Sequence, residues 1–147
     1  MVLVDFLVNI DVDDLEKAVD FYQAAFGLQV GRRFGTAGVE MLGGPAPIYL
    51  LVKAAGTASS NAPGSSAPGS SAEVQLRRYE RHWTPVHLDF VVQDIASAVA
   101  RARAAGARLE ADISTAAWGK LALLADPFGH GFCLLQFVGR GYDEIAE

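Results

Sequence analysis

Two stretches of the chain, Phe6 to Val12 and Val86 to Val92, set apolar β-branched and aromatic residues at alternate positions, which predicts extended strands. A helical pattern follows each. In the first, Asp13 is placed to cap with Glu16 three positions on. Leu15, Ala18, Val19, Tyr22 and Phe26 then form one stripe before Gly27 stops the helix. In the second, Asp94 caps, Ile95, Ala98, Val99 and Ala102 form the stripe, and Gly106 stops it. Three short apolar stretches come after each helix: Gln29–Phe34, Val39–Leu42 and Pro47–Lys53, then Arg108–Ile113, Lys120–Ala125 and Gly131–Val138. Each half therefore reads β-α-β-β-β.

The two halves are copies of one unit. LVNIDVDDLEKAVDFYQAAFG (7–27) lies over HLDFVVQDIASAVARARAAGA (87–107) without a gap, with identities that include Val12/Val92, Asp14/Asp94, Ala18/Ala98 and Val19/Val99. Ile48-Tyr49-Leu50-Leu51 lies over Phe132-Cys133-Leu134-Leu135. Asp126-Pro127-Phe128-Gly129 has the residue order of a type I turn and closes the final hairpin. The 147 residues thus read as one domain. It comprises a first module over 1–53, a flexible Gly/Ser/Pro-rich linker over Ala54–Ala72, a second module over 73–138 and an acidic tail over 139–147.

Side chains on a strand alternate between two faces. Val8, Ile10 and Val12, with Leu88, Phe90 and Val92, are suited to packing under the helices; Leu7, Asn9 and Asp11, with His87, Asp89 and Val91, place polar groups on the other face. That second face either meets water or, if the sheet curves, lines a cleft. Lys and Arg number 12 against 17 Asp and Glu, a net charge of −5, which is the wrong sign for neutralising phosphates, so nucleic acid is excluded as a partner. The single cysteine, Cys133, forms no intrachain disulfide, and together with a start that lacks a basic leader and the absence of a long apolar run this reads as a cytoplasmic protein without a membrane partner. Arg77, Arg78, Arg81 and His82 form a basic run, read as a solvated rim or dimer contact, with an anion site as the alternative.

FLVNIDVDDLEKAVDFYQAAFGL, and HLDFVVQDIASAVARARAAGARL followed by ADPFGHGFCLLQF, resemble the glyoxalase/bleomycin-resistance/dioxygenase superfamily, the vicinal oxygen chelate proteins. The resemblance implies an α+β fold in which two βαβββ modules form an open, mixed-sheet, barrel-like cleft that holds a ligand or a metal, usually in a homodimer. Its members include metal-dependent lyases, extradiol dioxygenases and metal-free proteins that sequester a drug. In metal-using members the ligands come from the first and last strands. Counting from Asp14, Asp94 and Asp126, those positions fall on Leu7, His87 and Cys133, with Tyr49 as the repeat partner of Cys133. Leucine does not ligate, and this set departs from the two-His-one-carboxylate pattern that suits non-haem iron.

No cofactor is therefore expected, with His87 the one side chain of the usual ligand type. The ligand-binding cleft is expected to gather Leu7, Asn9, Tyr49, His87, Asp89, Trp118 and Cys133, with His87 and Asp89 as the acid/base candidates of any catalysis. Trp83, Trp118, Tyr49, Phe128 and Met41 are apolar candidates for a pocket wall, with core packing as the alternative for each. Cys133 reads as a small buried hydrophobe. His130 is placed in the exposed hairpin turn, and His82 lies an odd number of positions from His87 across Pro85, so the three histidines are not expected to converge.

The function this favours is metal-independent binding of a small organic ligand of cationic or aromatic type. One alternative is a metal-dependent lyase or dioxygenase in which His87 ligates with Glu40 or Asp89. A second is a non-catalytic dimerisation module, which predicts a filled cleft.

Overall fold

The computed structural model describes residues 4–59 and 75–147. The first module runs β1 (Val8–Val12), α1 (Leu15–Phe26), β2 (Gln29–Phe34), β3 (Gly38–Leu42) and β4 (Ile48–Val52). The second runs β5 (Asp89–Val91), α2 (Ile95–Ala105), β6 (Arg108–Leu109), β7 (Ser114–Ala116), β8 (Gly119–Ala125) and β9 (Gly131–Phe137). A short 3₁₀ turn, Gly141–Glu144, follows. The first sheet has the order β1-β4-β3-β2 and the second β5-β9-β8-β6, with β7 also on β8. In both, the first strand lies parallel to the last while the remaining pairings are antiparallel. This is the expected α+β architecture of two βαβββ modules, with mixed and unclosed sheets.

The helix stops are the glycines read from the sequence: Gly27 and Gly106 both take left-handed backbone. The first cap is corrected. Asp14, rather than Asp13, sits in extended backbone and accepts from the Lys17 amide, in the same geometry by which Asp94 accepts from the Ser97 amide. Of the stretch expected as one strand over 108–113 only β6 at 108–109 is a strand, and a separate β7 lies beyond it at 114–116. The opening strands are shorter than their apolar runs, and of the expected linker, residues 60–72 lie outside the described residues. Its first six residues fold back on Gln75–Arg77, with the Gly56 and Ser59 amides donating to the Arg77 and Gln75 carbonyls.

Helix α1 is buried on more than the one stripe that its sequence shows. Ala18, Val19, Tyr22 and Ala25 are buried, and so is Phe21, which lies off the stripe. The reason is that α1 covers its own sheet and also meets the second module. Phe26 stacks on Phe90 at 3.9 Å between ring centres, and Phe21 and Phe26 both meet Phe132 edge-on. Met41 and Phe128, offered above as wall candidates, are instead core residues, each 1% exposed.

One polar contact crosses this junction. The Tyr22 hydroxyl donates to Asp126 Oδ2 at 2.8 Å, while Asp126 Oδ1 accepts from the Phe128 and His130 amides. Burial, and then the adjacent carboxylate, push the Tyr22 phenol well above its ordinary range. Removing the hydroxyl takes a partner from a buried carboxylate, so Tyr22→Phe is expected to lower stability by about 1–3 kcal/mol. Thermal unfolding reads this as a Tm lower by several degrees; an unchanged Tm would show that the two backbone donors suffice.

Candidate functional site

The sheet faces turned away from the helices carry two polar clusters, one in each module. In the first, Asn9 lies opposite Tyr49 and Glu40 lies opposite Tyr49 on the other side, so three side chains form a row across β1, β4 and β3. Arg32 joins them because β2 is irregular: Val30 pairs with Met41 and Arg33 with Val39, so Gly31 and Arg32 together face the single residue Glu40. A side chain at residue 31 would put its Cβ 2.6 Å from Glu40 Oε1, which is why glycine stands there.

Arg32 grips Glu40 with its guanidinium at 3.1 and 2.7 Å and with its own amide at 3.1 Å, and the Tyr49 hydroxyl donates to Glu40 Oε2 at 2.7 Å. The carboxylate is 6% exposed. Arg32's hydrogen bonds, with that of Tyr49, hold Glu40 down at about 2, and the carboxylate in turn raises the Tyr49 phenol. Glu40 is therefore committed to Arg32 and Tyr49, not to His87. The sequence signal for this cluster was the glycine inside a strand pattern, at Gly31.

In the second module Asp89 lies opposite Cys133, the same row that Asn9 and Tyr49 occupy in the first. His87 Nε2 is 3.1 Å from Asp89 Oδ1. Imidazole, carboxylate and thiol donor atoms all lie within 4.8 Å of one another. Burial first, and then the charge of Asp89, push the Cys133 thiol up to about 12, so it stands protonated and is a poor nucleophile. The set is nonetheless chemically coherent for a cation. Three donors with one side open match a zinc-type centre, in which the metal displaces the thiol proton, and the sulfur makes it a poor match for manganese.

Between the two modules the described residues leave a cavity of about 1560 Å³. Leu7, Asn9 and His87 line it; Tyr49, Asp89 and Cys133 sit on the sheet faces outside its lining, and Trp118 packs against Tyr142 at 5.4 Å. Segment 75–86 supplies one wall. In it Arg77, with a side chain only 10% exposed, reaches Asp11 Oδ2 at 2.8 Å, and Arg81 binds Glu110 and lies over the Trp83 ring. These arginines are clamps rather than a solvated rim. Trp83 in turn lies where a Cβ on Gly131 would stand, and meets the His87 ring edge-on. The histidines also differ from expectation: His130 is half-buried and its Nδ1 lies 3.0 Å from His82 Nε2.

The pattern of a glyoxalase-like domain matches residues 7–135. This chain belongs to that family. No curated protein matches the sequence. Among solved structures, the genomically encoded fosfomycin resistance protein FosX from Listeria monocytogenes is 18% identical, with 99% of this chain and 100% of that one covered and a TM-score of 0.66. A glyoxalase/bleomycin resistance protein/dioxygenase family enzyme from Burkholderia phytofirmans is 20% identical, with 92% and 100% covered and a TM-score of 0.63. A mutant of the Listeria protein, complexed with manganese(II) and a dihydroxypropylphosphonic acid, is 17% identical, with 99% and 97% covered and a TM-score of 0.67. At these identities the likeness is one of fold. Among the described residues no helix is long and apolar enough to cross a membrane.

The Glu40 cluster generates an acid-stability prediction. Its folded pKa lies below the unfolded value, so its contribution is complete above about pH 4.5 and is lost as the pH falls toward about 2. Glu40→Gln is expected to flatten the pH dependence of urea unfolding across that window. An unchanged slope would mean that Glu40 is free in solution.

Proposed function

We propose that this glyoxalase-family chain binds a small organic anion with an apolar or aromatic body in the cavity between its modules. The observation that supports this is the composition of the wall. Leu7, Ile10 and Phe90 are apolar, while the charged lining is Lys53, Arg77, Arg78 and Arg81 against Asp11 and Glu80; with Arg81 answered by Glu110 beside the lining, one cation remains in excess in a protein of net charge −5. The local sign is thus opposite to the overall one. This turns the expected ligand from a cation to an anion, with Trp83 as the aromatic surface and Asn9 and His87 as hydrogen-bonding groups. An open cavity among the described residues also argues against the non-catalytic module with a filled cleft. The protein works in the cytoplasm as a homodimer on this reading: Val91 and Leu123, on the open face of the second sheet, are exposed apolar residues of the kind a partner copy covers.

A panel of aromatic carboxylates and phosphonates, set against aromatic amines, tests the reading by thermal shift. An anionic ligand at 100 times its Kd is expected to add about 2.7 kcal/mol, a Tm increase of roughly 5–10 °C. Stabilisation by the amines alone would overturn it.

A second reading rests on the His87, Asp89 and Cys133 group. When bound there, a divalent metal would supply a Lewis acid on the open face of the second module, toward a lyase or dioxygenase activity. His87, Asp89 and Cys133 would hold it, and Trp83 would fix the imidazole ring. Cobalt(II) titration is expected to give a sulfur-to-metal charge-transfer band, lost in Cys133→Ser and weakened in His87→Ala. No band in the parent protein would dismiss this reading and leave the binding reading intact.

A further inference from the structure

His82 and His130 make a chain of three contacts whose ends are both backbone carbonyls. His82 Nδ1 lies 2.7 Å from the Glu80 carbonyl oxygen, His82 Nε2 lies 3.0 Å from His130 Nδ1, and His130 Nε2 lies 2.6 Å from the Asp11 carbonyl oxygen. A carbonyl oxygen only accepts, so each outer nitrogen carries a hydrogen. The nitrogen-to-nitrogen contact needs one more hydrogen between the two rings. Two neutral imidazoles carry two N–H groups between them, and the geometry uses three. All three contacts are satisfied together only when the pair holds one proton beyond neutrality.

These contacts join three separate pieces of the chain. Glu80 and His82 belong to the 75–86 strap, His130 to the β8–β9 hairpin, and Asp11 to β1 of the other module; all of them line the cavity. The hairpin and strap also meet through the backbone, as the His82 amide donates to the Gly129 carbonyl at 3.0 Å. That approach is so close that a Cβ on Gly129 would stand 2.0 Å from the Glu80 carbonyl oxygen. The charged groups around the pair are Asp11, bound to Arg77; Asp126, which accepts from the His130 amide; Arg81, which donates to the His82 carbonyl and binds Glu110; and the Glu80 side chain. The Tyr79 ring meets His130 edge-on. The guanidiniums of Arg77 and Arg81 are each matched by a carboxylate, Asp11 and Glu110.

We propose that the His82–His130 pair shares a single excess proton and that this proton is the catch holding the 75–86 strap closed over the cavity. Loss of the proton leaves one of the three contacts with two lone pairs face to face. Gain of a second puts two N–H groups face to face between the rings. The strap is thus held best in the singly charged state and loosens on either side of it, so its protection follows a bell-shaped pH profile. This holds whatever the cavity binds.

The chain has only three histidines, so the imidazole nitrogen-15 spectrum of the parent protein reads the pair directly. The expected result, at about neutral pH, is one ring of the pair with both nitrogens protonated and the other neutral with its proton on the carbonyl side. Two neutral rings, or two charged ones, throughout the range between about pH 6 and 8 would overturn the proposal. Amide hydrogen exchange, corrected for its intrinsic pH dependence, gives a second readout at His82. Its protection is expected to fall about fivefold, the worth of one hydrogen bond, on each side of the maximum. In His130→Gln the profile is expected to be flat, with His82→Gln, read at the amide of residue 82 that faces the Gly129 carbonyl, as the substitute if that variant does not fold. A flat profile in the parent, or the same bell in the variant, would overturn the proposal.

Discussion

The interaction on which the other contacts depend is the buried carboxylate of Asp126. It is 5% exposed and would be costly to leave unpaired. It resolves that cost by accepting from two amides of its own turn and from the hydroxyl of Tyr22 in the opposite module. The local pair of bonds shapes the turn, in which the Gly129 amide also donates to the Asp126 carbonyl and Gly129 takes a φ of +82°. The longer bond ties that turn to α1. Because the turn begins β9, its position sets where His130 meets His82 and Asp11, and where Gly131 leaves room for Trp83. One carboxylate thus connects the helix of the first module to the strap and to the edge of the cavity.

The same junction explains the form of the molecule. Helix α1 packs on its own sheet and reaches the second module through Phe21, Phe26 and the Tyr22 hydroxyl. A helix used on two sides holds the two modules together. Helix α2, with no comparable aromatic residues, buries only the stripe of Ile95, Ala98, Val99 and Ala102. The two copies of one unit have diverged in what they do for the fold as well as in what their faces carry.

How far the sequence could be read follows from the range of each signal. Local signals were legible: the repeat, the order of strands, the glycine stops, the turn at Asp126 and the division of the opening strands into an apolar and a polar face. The stripe of α2 was legible in full because one packed face leaves one period. Phe21 fell outside the stripe of α1 because its burial comes from the other module, and no periodicity within a helix reports a second partner. The contact of His82 with His130 was hidden for a related reason. It depends on a strap crossing a hairpin 48 residues away, whereas counting positions along one strand tests only neighbours of the same strand. Asp13 and Asp14 were both adequate caps by residue type, and backbone conformation chose the one that matches Asp94.

The divergence of the two open faces has a physical consequence for where chemistry can reside. In the first module's row the strong groups answer one another: Glu40 is met by Arg32 and Tyr49, and Arg32 by Glu40 and by the Tyr49 oxygen at 2.7 Å. A closed set of this kind fixes β2 against β3 and β4 but keeps little hydrogen-bonding capacity for a ligand. In the corresponding row of the second module Leu123 replaces Glu40, Cys133 replaces Tyr49 and Asp89 replaces Asn9. Asp89 there has a neighbouring imidazole at 3.1 Å and a thiol beside it, and both its carboxylate and the His87 ring remain over a third exposed. Reactive capacity is therefore concentrated on the second module, at the end of β5 where His87 borders the cavity.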